Sequence, residues 1–540
     1  MSHKEAQKTQ RGLVNDCLRI LISWAIRALG MVGNRILKLR LVRFGRTQEQ
    51  LKQRYGITRE TPVTQSIQLA AIKAGGDAMF AKTSGSTGNA KEVLYTRRRL
   101  RFLKLTFSDM FARACYAFSI HRTSLYVFSS FKKDESLTSL LLSESRLPNY
   151  LSTLQAPYRV QHHPAIQALV ARYSSTAVRL WILAISNPGV LYSTNPSTIS
   201  TFLDSLANDW LRSSKLIRDW TDKRATFSLD VHQIARRSDS RDCEQRLKRI
   251  ATSNSPLPLS VCAPAIEAYI CWTGGYVKPF LDRLAAYLPA PRYKLIPMYS
   301  MSTETIETLP RFHDEDVAFF PIADGVVYEF IEEQTMDHAD NLLDAHQLEP
   351  GKLYAMVISD GYGLRRYQTD DLFLCRRKID GLPDLVFVRR RSLQYSFTGE
   401  KLTAEQLSLA FDQLRVLYPA LLADKFLTCV PSQSSHALPH YTVLLGGDLR
   451  GAASYDVLAA RCDEMLCEMN YEYRSKRATG RLGAVRIMEL RIEEFSEQTQ
   501  FKFLPLNLHH LLGRHVAARR DIFNTGSDGV PPLQMMQERL

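Results

Sequence analysis

The richest chemistry in this chain is concentrated in nine residues, Thr83-Ser84-Gly85-Ser86-Thr87-Gly88-Asn89-Ala90-Lys91. Two glycines three apart let the backbone turn tightly and expose its N–H groups. The hydroxyls add short donors, and Lys91 adds a compact positive charge. Together they suit the phosphates of a nucleotide. The stretch is not a Walker loop, which needs four residues between its glycines and a Lys-Ser or Lys-Thr end. Here two residues separate Gly85 from Gly88, and Glu92 follows Lys91. A Ser/Gly-rich surface turn has the same composition, so the choice between the two rests on what accompanies the loop downstream.

Four later segments bear on it. Tyr299-Ser300-Met301-Ser302-Thr303-Glu304 follows an apolar run ending at Met298. Hydroxyls and a carboxylate at such a strand end sit where open α/β sheets bind ligands. Glu304 could hold Mg²⁺, which takes few carboxylates plus phosphate oxygens, or it could be an exposed acid on a polar loop. Gly363-Leu364-Arg365-Arg366-Tyr367-Gln368-Thr369-Asp370-Asp371 places two acids after an aromatic, a set able to accept from a ribose diol. Phe387-Val388-Arg389-Arg390-Arg391 precedes Phe397-Thr398-Gly399-Glu400-Lys401; its arginines read either as anion contacts or as a structural ion-pair cluster. Gln500-Phe501-Lys502-Phe503-Leu504-Pro505 contributes Lys502, which by itself reads equally well as a solvated surface lysine.

The elements that must position these groups are legible as patterns. The segment 78–81 enters the loop like a strand and 93–95 leaves it as another. Thr96 is a plausible N-cap for a helix over 97–118, whose first turn carries Arg97, Arg98, Arg99 and Arg101. Cations there oppose the helix dipole, so they read as a solvated face or as contacts to acids or nucleotide. Residues 124–129 read as a strand. Residues 164–222 read as helices with Trp181, Trp210 and Trp220 inside, and 223–256 as helix plus loop. The runs 259–263 and 269–273 read as β, followed by a helix over 277–288 and a strand over 293–298. Strand, helix, strand implies a parallel crossover. Strands then dominate 317–388. Past Arg391 the pattern becomes α+β, with a helix after Thr403, strands at 426–430 and 441–445, a helix over 455–469 and a strand at 485–492.

The 540 residues are 45% hydrophobic and 23% charged, which is ordinary for a globular chain and long enough for more than one domain. The net charge of +15 fits nucleic acid, an anionic surface or an anionic substrate. Without a zinc-finger spacing or an aromatic RNA-binding signature, the reading excludes nucleic acid and favours the substrate. Nine scattered cysteines without a C-x-x-C pair fit a reducing compartment and no disulfide framework. Residues 18–42 read as an amphipathic helix covering part of the core with a basic outer face. Arg19, Arg27, Arg35, Lys38 and Arg40 interrupt its apolar runs, so no run approaches the ~20 residues of a membrane span. Peripheral membrane contact stays open.

The five chemical segments come in the order of the adenylate-forming superfamily. The 83–91 stretch resembles its phosphate loop, with Ala90 where proline is usual. Ser302-Thr303-Glu304 resembles its Thr-Glu segment, with the aromatic displaced to Tyr299. Tyr367 to Asp371 resembles its Tyr-x-Thr-Gly-Asp segment, with Asp370 where glycine is usual. The chain is more closely similar to one branch, the auxin-responsive acyl-acid amido synthetases of plants and their bacterial relatives. The Gly363-Leu-x-Arg-Tyr form, Phe387-Val-Arg-Arg, Asn470-Tyr-Glu-Tyr-Arg-Ser-Lys-Arg477 and Gln500-Phe-Lys502 carry that likeness.

The resemblance implies an α/β fold, with a large N-terminal adenylate-forming domain over 1–392 (β-sheets with flanking helices) and a small mobile α+β domain over 393–524. Residues 525–540 are expected to be a disordered tail. It implies that ATP and Mg²⁺ activate a carboxylic acid as an acyl-adenylate, which an amine, typically of an amino acid, converts to an amide. Ser84, Gly85, Ser86, Thr87, Gly88, Ser302, Thr303 and Asp371 would bind nucleotide, and Glu304 the metal. Lys91, Arg390 and Lys502 would act on the phosphate or the acyl carboxylate, Lys502 swinging in about a hinge near 391–398. Phe107, Phe111, Trp272, Gly274 and Tyr276 are candidates for the acyl pocket. The expected chain is a cytoplasmic monomer without a transmembrane segment. A thiol acceptor, or a catalytically silent binding relative, remain alternatives.

Overall fold

The computed structural model describes residues 3–64, 79–82, 92–129, 131, 137, 141, 154–274, 278–298, 300–302, 304–313, 316–335, 341–390, 394–395, 402–422, 425–434, 437–446 and 455–490. Two helices open the chain, α1 (His3–Val42) and α2 (Phe44–Tyr55). A hairpin of β1 (Met79–Lys82) and β2 (Glu92–Tyr95) follows, paired from Met79↔Tyr95 to Lys82↔Glu92. The 83–91 stretch is therefore the connection between two paired strands. Helix α3 (Arg97–Ala117) starts directly after it, and the Thr96 hydroxyl accepts from Arg99 N at 3.2 Å, as the N-cap reading predicts.

The centre is a four-stranded parallel sheet in the order β3 (Leu125–Val127), β4 (Val190–Tyr192), β5 (Ala268–Cys271) and β6 (Lys294–Pro297). Its strands are short apolar runs because helices cover both faces. Trp181 and Trp220 meet edge to face at 5.3 Å within that cover, and Trp210, at the start of the helix that ends near Trp220, is also buried. The expected crossover is present: helix Lys278–Tyr287 joins β5 to β6.

Three expectations change. Residues 259–262 form a four-residue helix, Leu259–Cys262, not a strand; Pro256, Pro258 and Pro264 confine the run. The segment read as helices over 164–222 also contains β4, three residues sandwiched between β3 and β5, too short to interrupt a helical pattern visibly. The outer face of α1 is apolar as well as basic: Ile20, Leu21, Trp24, Leu29, Val32, Ile36 and Leu39 are exposed beside Arg35 and Lys38, whereas Asn15, Asp16, Arg19 and Ser23 are buried. Leu13–Val42 is moreover long and apolar enough, by length and composition, to cross a membrane, contrary to the reading that no run approaches that length.

A second sheet is antiparallel, in the order β10 (Leu343–Asp344), β9 (Val326–Glu332), β11 (Leu353–Asp360), β12 (Tyr367–Ile379) and β13 (Leu382–Arg390). The hairpin β7 (Leu309–His313) with β8 (Asp316–Phe320) leads into it. The turn from β11 to β12 holds Gly363 at φ 115 and Arg366 at φ 41. Arg366 is held in that left-handed position by two hydrogen bonds to Glu329, each 2.9 Å, and one to the Thr61 carbonyl at 2.7 Å. The Gly-Leu-x-Arg-Tyr form is thus the turn that aims Tyr367 and the strand behind it.

One core cluster runs from Leu37 to Phe387. A second gathers Leu402 through Val485 around the sheet β16 (Phe426–Ser434), β17 (Ala437–Gly446), β18 (Arg486–Leu490) and admits Phe280 from helix Lys278–Tyr287. Between them, β14 (Gln394–Tyr395) pairs with β15 (Leu402–Thr403). The Asn470–Arg477 segment turns inward. Asn470 caps helix Tyr471–Ala478 by accepting from Tyr473 N at 2.8 Å, and its amide reaches Gln406 at 3.0 Å. Tyr473 Oη donates to Asp463 at 2.6 Å, and Arg477 pairs with the same carboxylate at 2.8 Å. These residues lock the helices of this unit.

Candidate active site

The loop after β6 lies at the carboxyl end of the parallel sheet, beside the end of β5 at Trp272–Gly274. Ser302 N donates to the Thr305 carbonyl at 3.0 Å and Thr305 N to Ser302 Oγ at 3.2 Å, and Met301 bridges Ile306. A tight turn results, with Glu304 at its tip and buried. Below it, Tyr328 Oη donates to the Ile306 carbonyl at 2.8 Å. The Glu304 carboxylate faces Tyr367 Oη at 3.4 Å. The sequence-derived roles of Ser302 are therefore partly structural: its side chain shapes the turn that presents Glu304.

The group that joins these pieces is Arg99, which sequence reasoning left among four undifferentiated arginines. Arg97, Arg98 and Arg101 are exposed, and Arg99 is buried. Its guanidinium donates to the Glu304 carbonyl, lies 3.5 Å from the Asp360 carboxylate and sits 4.7 Å over the Tyr95 ring. Asp360 also accepts from Tyr362 N at 2.8 Å and Leu364 N at 3.0 Å, which closes the β11–β12 turn. Burial pushes the Asp360 carboxyl above its ordinary range, opposed first by Arg99. One cation thus ties the open end of the β1–β2 hairpin, the Glu304 turn and the Tyr367 turn together. The helical spacing of Thr96 and Arg99 was the available signal: an N-cap fixes N3 against the body, and N3 here is the arginine.

Asp371 is buried on β12, and its Cα partner on β13 is Arg390. Two residues singled out from separate motifs are therefore cross-strand neighbours. Beneath Asp371 lies an acid that the motifs did not include, Glu307. Ser300 Oγ donates to Glu307 at 2.5 Å, and Glu307 N and Thr308 N donate to the Ser300 carbonyl at 3.0 and 3.1 Å. Full burial, then the Asp371 charge and a hydrogen bond to its carboxylate, hold the Glu307 carboxyl well above the usual range. In its protonated form Glu307 would be able to donate to Asp371.

The sign for stability follows. A carboxyl raised on folding binds more protons folded than unfolded, so its contribution is complete below the unfolded value of about 4.3 and declines as pH rises toward the folded value. A glutamine at this position cannot ionise and keeps both a donor and an acceptor. Urea midpoints measured from pH 5 to 8 should fall with pH less steeply for Glu307→Gln than for the wild type. Parallel curves would show that Glu307 has no raised titration.

The acyl-pocket candidates separate. Phe107 lines a narrow cleft with Leu103, Met110, Met301 and Ile306, directly under the Glu304 turn, and packs edge-on against Tyr192 at 5.5 Å. Phe111 belongs to the main core cluster. Trp272 packs against Phe387 with the rings tilted at 55° and their centres 5.0 Å apart, and a Cβ at Gly274 would come within 3.2 Å of the Phe387 carbonyl, so the Phe-Val-Arg-Arg strand closes over the end of β5. Ser84, Gly85, Ser86, Thr87, Gly88, Lys91, Thr303, Tyr276, Lys502 and the 525–540 tail lie outside the described residues, as do most of the expected hinge and the side chain of Arg390. Among the described residues no group of three or more His, Cys, Asp or Glu is arranged to hold a metal. A single carboxylate, Glu304, fits Mg²⁺ bound mainly through phosphate oxygens and water.

Residues 319–390, the strands that carry Tyr367, Asp371 and Arg390, match the GH3 family central domain. Longer stretches resemble individual relatives. The chain is 26% identical over 164 residues to indole-3-acetic acid-amido synthetase GH3.8 of Oryza sativa subsp. indica, covering 29% of this chain and 27% of that one. It is 27% identical over 240 residues to jasmonoyl--L-amino acid synthetase GH3.5 of Oryza sativa subsp. japonica, covering 41% and 40%. The matched stretches thus span less than half the length of these relatives. The fold is shared more widely: GH3.15 acyl acid amido synthetase superposes with a TM-score of 0.59 at 17% identity, over 77% of this chain and 78% of that one. The chain therefore shares the α/β fold of that synthetase, and residues 319–390 supply one wall of the candidate site.

Proposed function

We propose that this chain is an ATP-dependent acyl-acid amido synthetase. The observation that carries the reading is the convergence on Arg99. It joins the hairpin that bears the 83–91 connection to the turn that bears Glu304 and to the turn before Asp371. In the first half-reaction a carboxylate oxygen of the acid attacks the α-phosphorus of ATP, and pyrophosphate leaves. Two anions meet in that step, so the site's work is positioning and charge compensation. Asp371, backed by Glu307, would accept from the ribose diol, and the backbone and hydroxyls of residues 84–88 with Lys91 would hold the β and γ oxygens. Glu304 would hold Mg²⁺, which supplies charge neutralisation on the phosphates. In the second half-reaction the amine nitrogen attacks the acyl carbon, AMP leaves, and the amine loses a proton. Arg390 and Lys502 are proposed at the phosphate and acyl carboxylate, with the 402–485 unit rotating about residues 391–398 to deliver Lys502.

The Asn470–Arg477 segment locks its own unit, so the choice of acceptor rests on the likeness to amido synthetases. AMP release from the preformed adenylate should rise with amino acids and not with coenzyme A; the reverse dependence would make the chain a thioester-forming ligase. Lys91→Ala should lower pyrophosphate exchange by about 10²–10³-fold, and normal exchange would remove Lys91 from the mechanism.

A further inference from the structure

Helix α1 is amphipathic in the inverted sense. The face turned to the protein is polar through its first half and hydrogen-bonded to it. Asn15 Nδ2 donates to the Asp239 carbonyl at 2.8 Å, and Arg19 donates to the Ser238 carbonyl at 2.8 Å and to Asp16 at 3.0 Å. Ser23 Oγ accepts from Thr123 N at 3.0 Å. Farther along, Gly30 and Gly33 lie close against α3: a Cβ at Gly30 would meet the Ala112 carbonyl, and one at Gly33 the Asp109 carboxylate. These contacts seat the helix on the globular body, which a membrane-crossing helix could not keep.

The opposite face is an apolar stripe. Leu21 is 66% and Trp24 72% exposed, and Ile20, Leu29, Val32, Ile36, Leu39 and Val42 continue the row. From residue 17 to 42 the stripe is about 40 Å long at 1.5 Å per residue. A continuous apolar surface of that length on an otherwise ordinary protein marks an interaction site. Its charge identifies the occupant. Residues 17–46 hold Arg19, Arg27, Arg35, Lys38, Arg40, Arg43 and Arg46 and no Asp or Glu. Arg19 is used internally and Arg40 pairs with Asp324 at 2.6 Å, while Arg35, Lys38, Arg43 and Arg46 are exposed along or beyond the stripe. A second copy of the helix offers no acid between residues 17 and 46 to meet these cations in any register. A bilayer with anionic headgroups offers both partners at once: acyl chains for Leu21 and Trp24, and phosphates for the cations.

We propose that the outward face of α1 docks the protein peripherally on an anionic phospholipid bilayer. The full chain should pellet with phosphatidylcholine vesicles containing phosphatidylglycerol and stay in solution with phosphatidylcholine alone, and added salt should weaken the binding. Arg35→Glu with Lys38→Glu should lower the affinity for the anionic vesicles by at least about tenfold. Leu21→Glu with Trp24→Glu should abolish binding to them. A measurement on the unmutated face guards against misfolded variants. Of the other four tryptophans, Trp181, Trp210 and Trp220 are buried and Trp272 is half-buried against Phe387, so the part of the brominated-lipid quenching that Trp24→Phe removes reports Trp24; that substitution should remove most of the quenching while the protein still pellets. The proposal is overturned if the wild type ignores both vesicles, if emission is unquenched in pelleted protein, or if the chain resists alkaline carbonate extraction as a spanning protein does. It is equally overturned if the wild type is a dimer in solution that the Leu21→Glu, Trp24→Glu pair dissociates without any vesicle binding.

Discussion

Arg99→Ala is expected to destabilise the protein by about 3–5 kcal/mol, because it leaves the buried Asp360 carboxylate without its cation. The loss is larger than an ordinary surface truncation because both partners are almost fully withdrawn from solvent. The Glu304 carbonyl loses its donor in the same change, so residual folded enzyme should also adenylate poorly. Arg99→Lys keeps a charge but not the fork that reaches a carbonyl and a carboxylate together, and should recover part of the stability and little of the activity. Arg98→Ala, one residue away and exposed, should stay within about 0.5 kcal/mol of the wild type. Urea denaturation of the three proteins checks this. An Arg99→Ala protein as stable as Arg98→Ala would mean that Arg99 holds nothing together.

The second large effect is expected at Asp371. An asparagine in its place keeps the shape and an acceptor oxygen toward Glu307, but not the charge that strengthens two hydrogen bonds to a ribose diol. Charge-assisted bonds are worth about 1.5–3 kcal/mol each, so Asp371→Asn should lower kcat/KM for ATP by about 10²-fold or more. The fall should appear chiefly as a raised KM for ATP, with KM for the acid little changed and stability within about 1 kcal/mol of the wild type. Equal losses on both substrates, or a collapse in stability, would make Asp371 a folding residue. Glu307→Gln, measured in the same assay, should keep most of the activity at neutral pH because it preserves the donor beneath Asp371.

Much of this was legible because local rules and the fold agree. Thr96 caps α3 and Thr403 caps the helix Ala404–Leu417 with a capping box to Gln406. The apolar runs of β5 and β6 and the helix between them form the expected crossover. The motif residues Glu304, Asp371 and Arg390 were identified by type and order alone, and register then made the last two neighbours. What escaped depends on distant chain. Arg99 differs from Arg98 only because Glu304 and Asp360, 205 and 261 residues further along, come to lie beside it. Glu307 looks like any acid on a polar loop until Ser300 and Asp371 enclose it. Strand β4 is a short run whose identity is set by its neighbours β3 and β5. The outer face of α1 was only half legible: Arg35 and Lys38 do face outward, but Arg19 is buried and apolar residues expected against the core are exposed between them.

The central claim is that this site activates a carboxylate by adenylation. Pyrophosphate exchange into ATP, measured with the full chain and Mg²⁺ across a panel of aryl, indolyl and aliphatic carboxylic acids, tests it most directly. The account predicts exchange that depends on at least one acid and is lost in Lys91→Ala. Absence of exchange with every acid, in a protein that also fails to bind ATP, would contradict it.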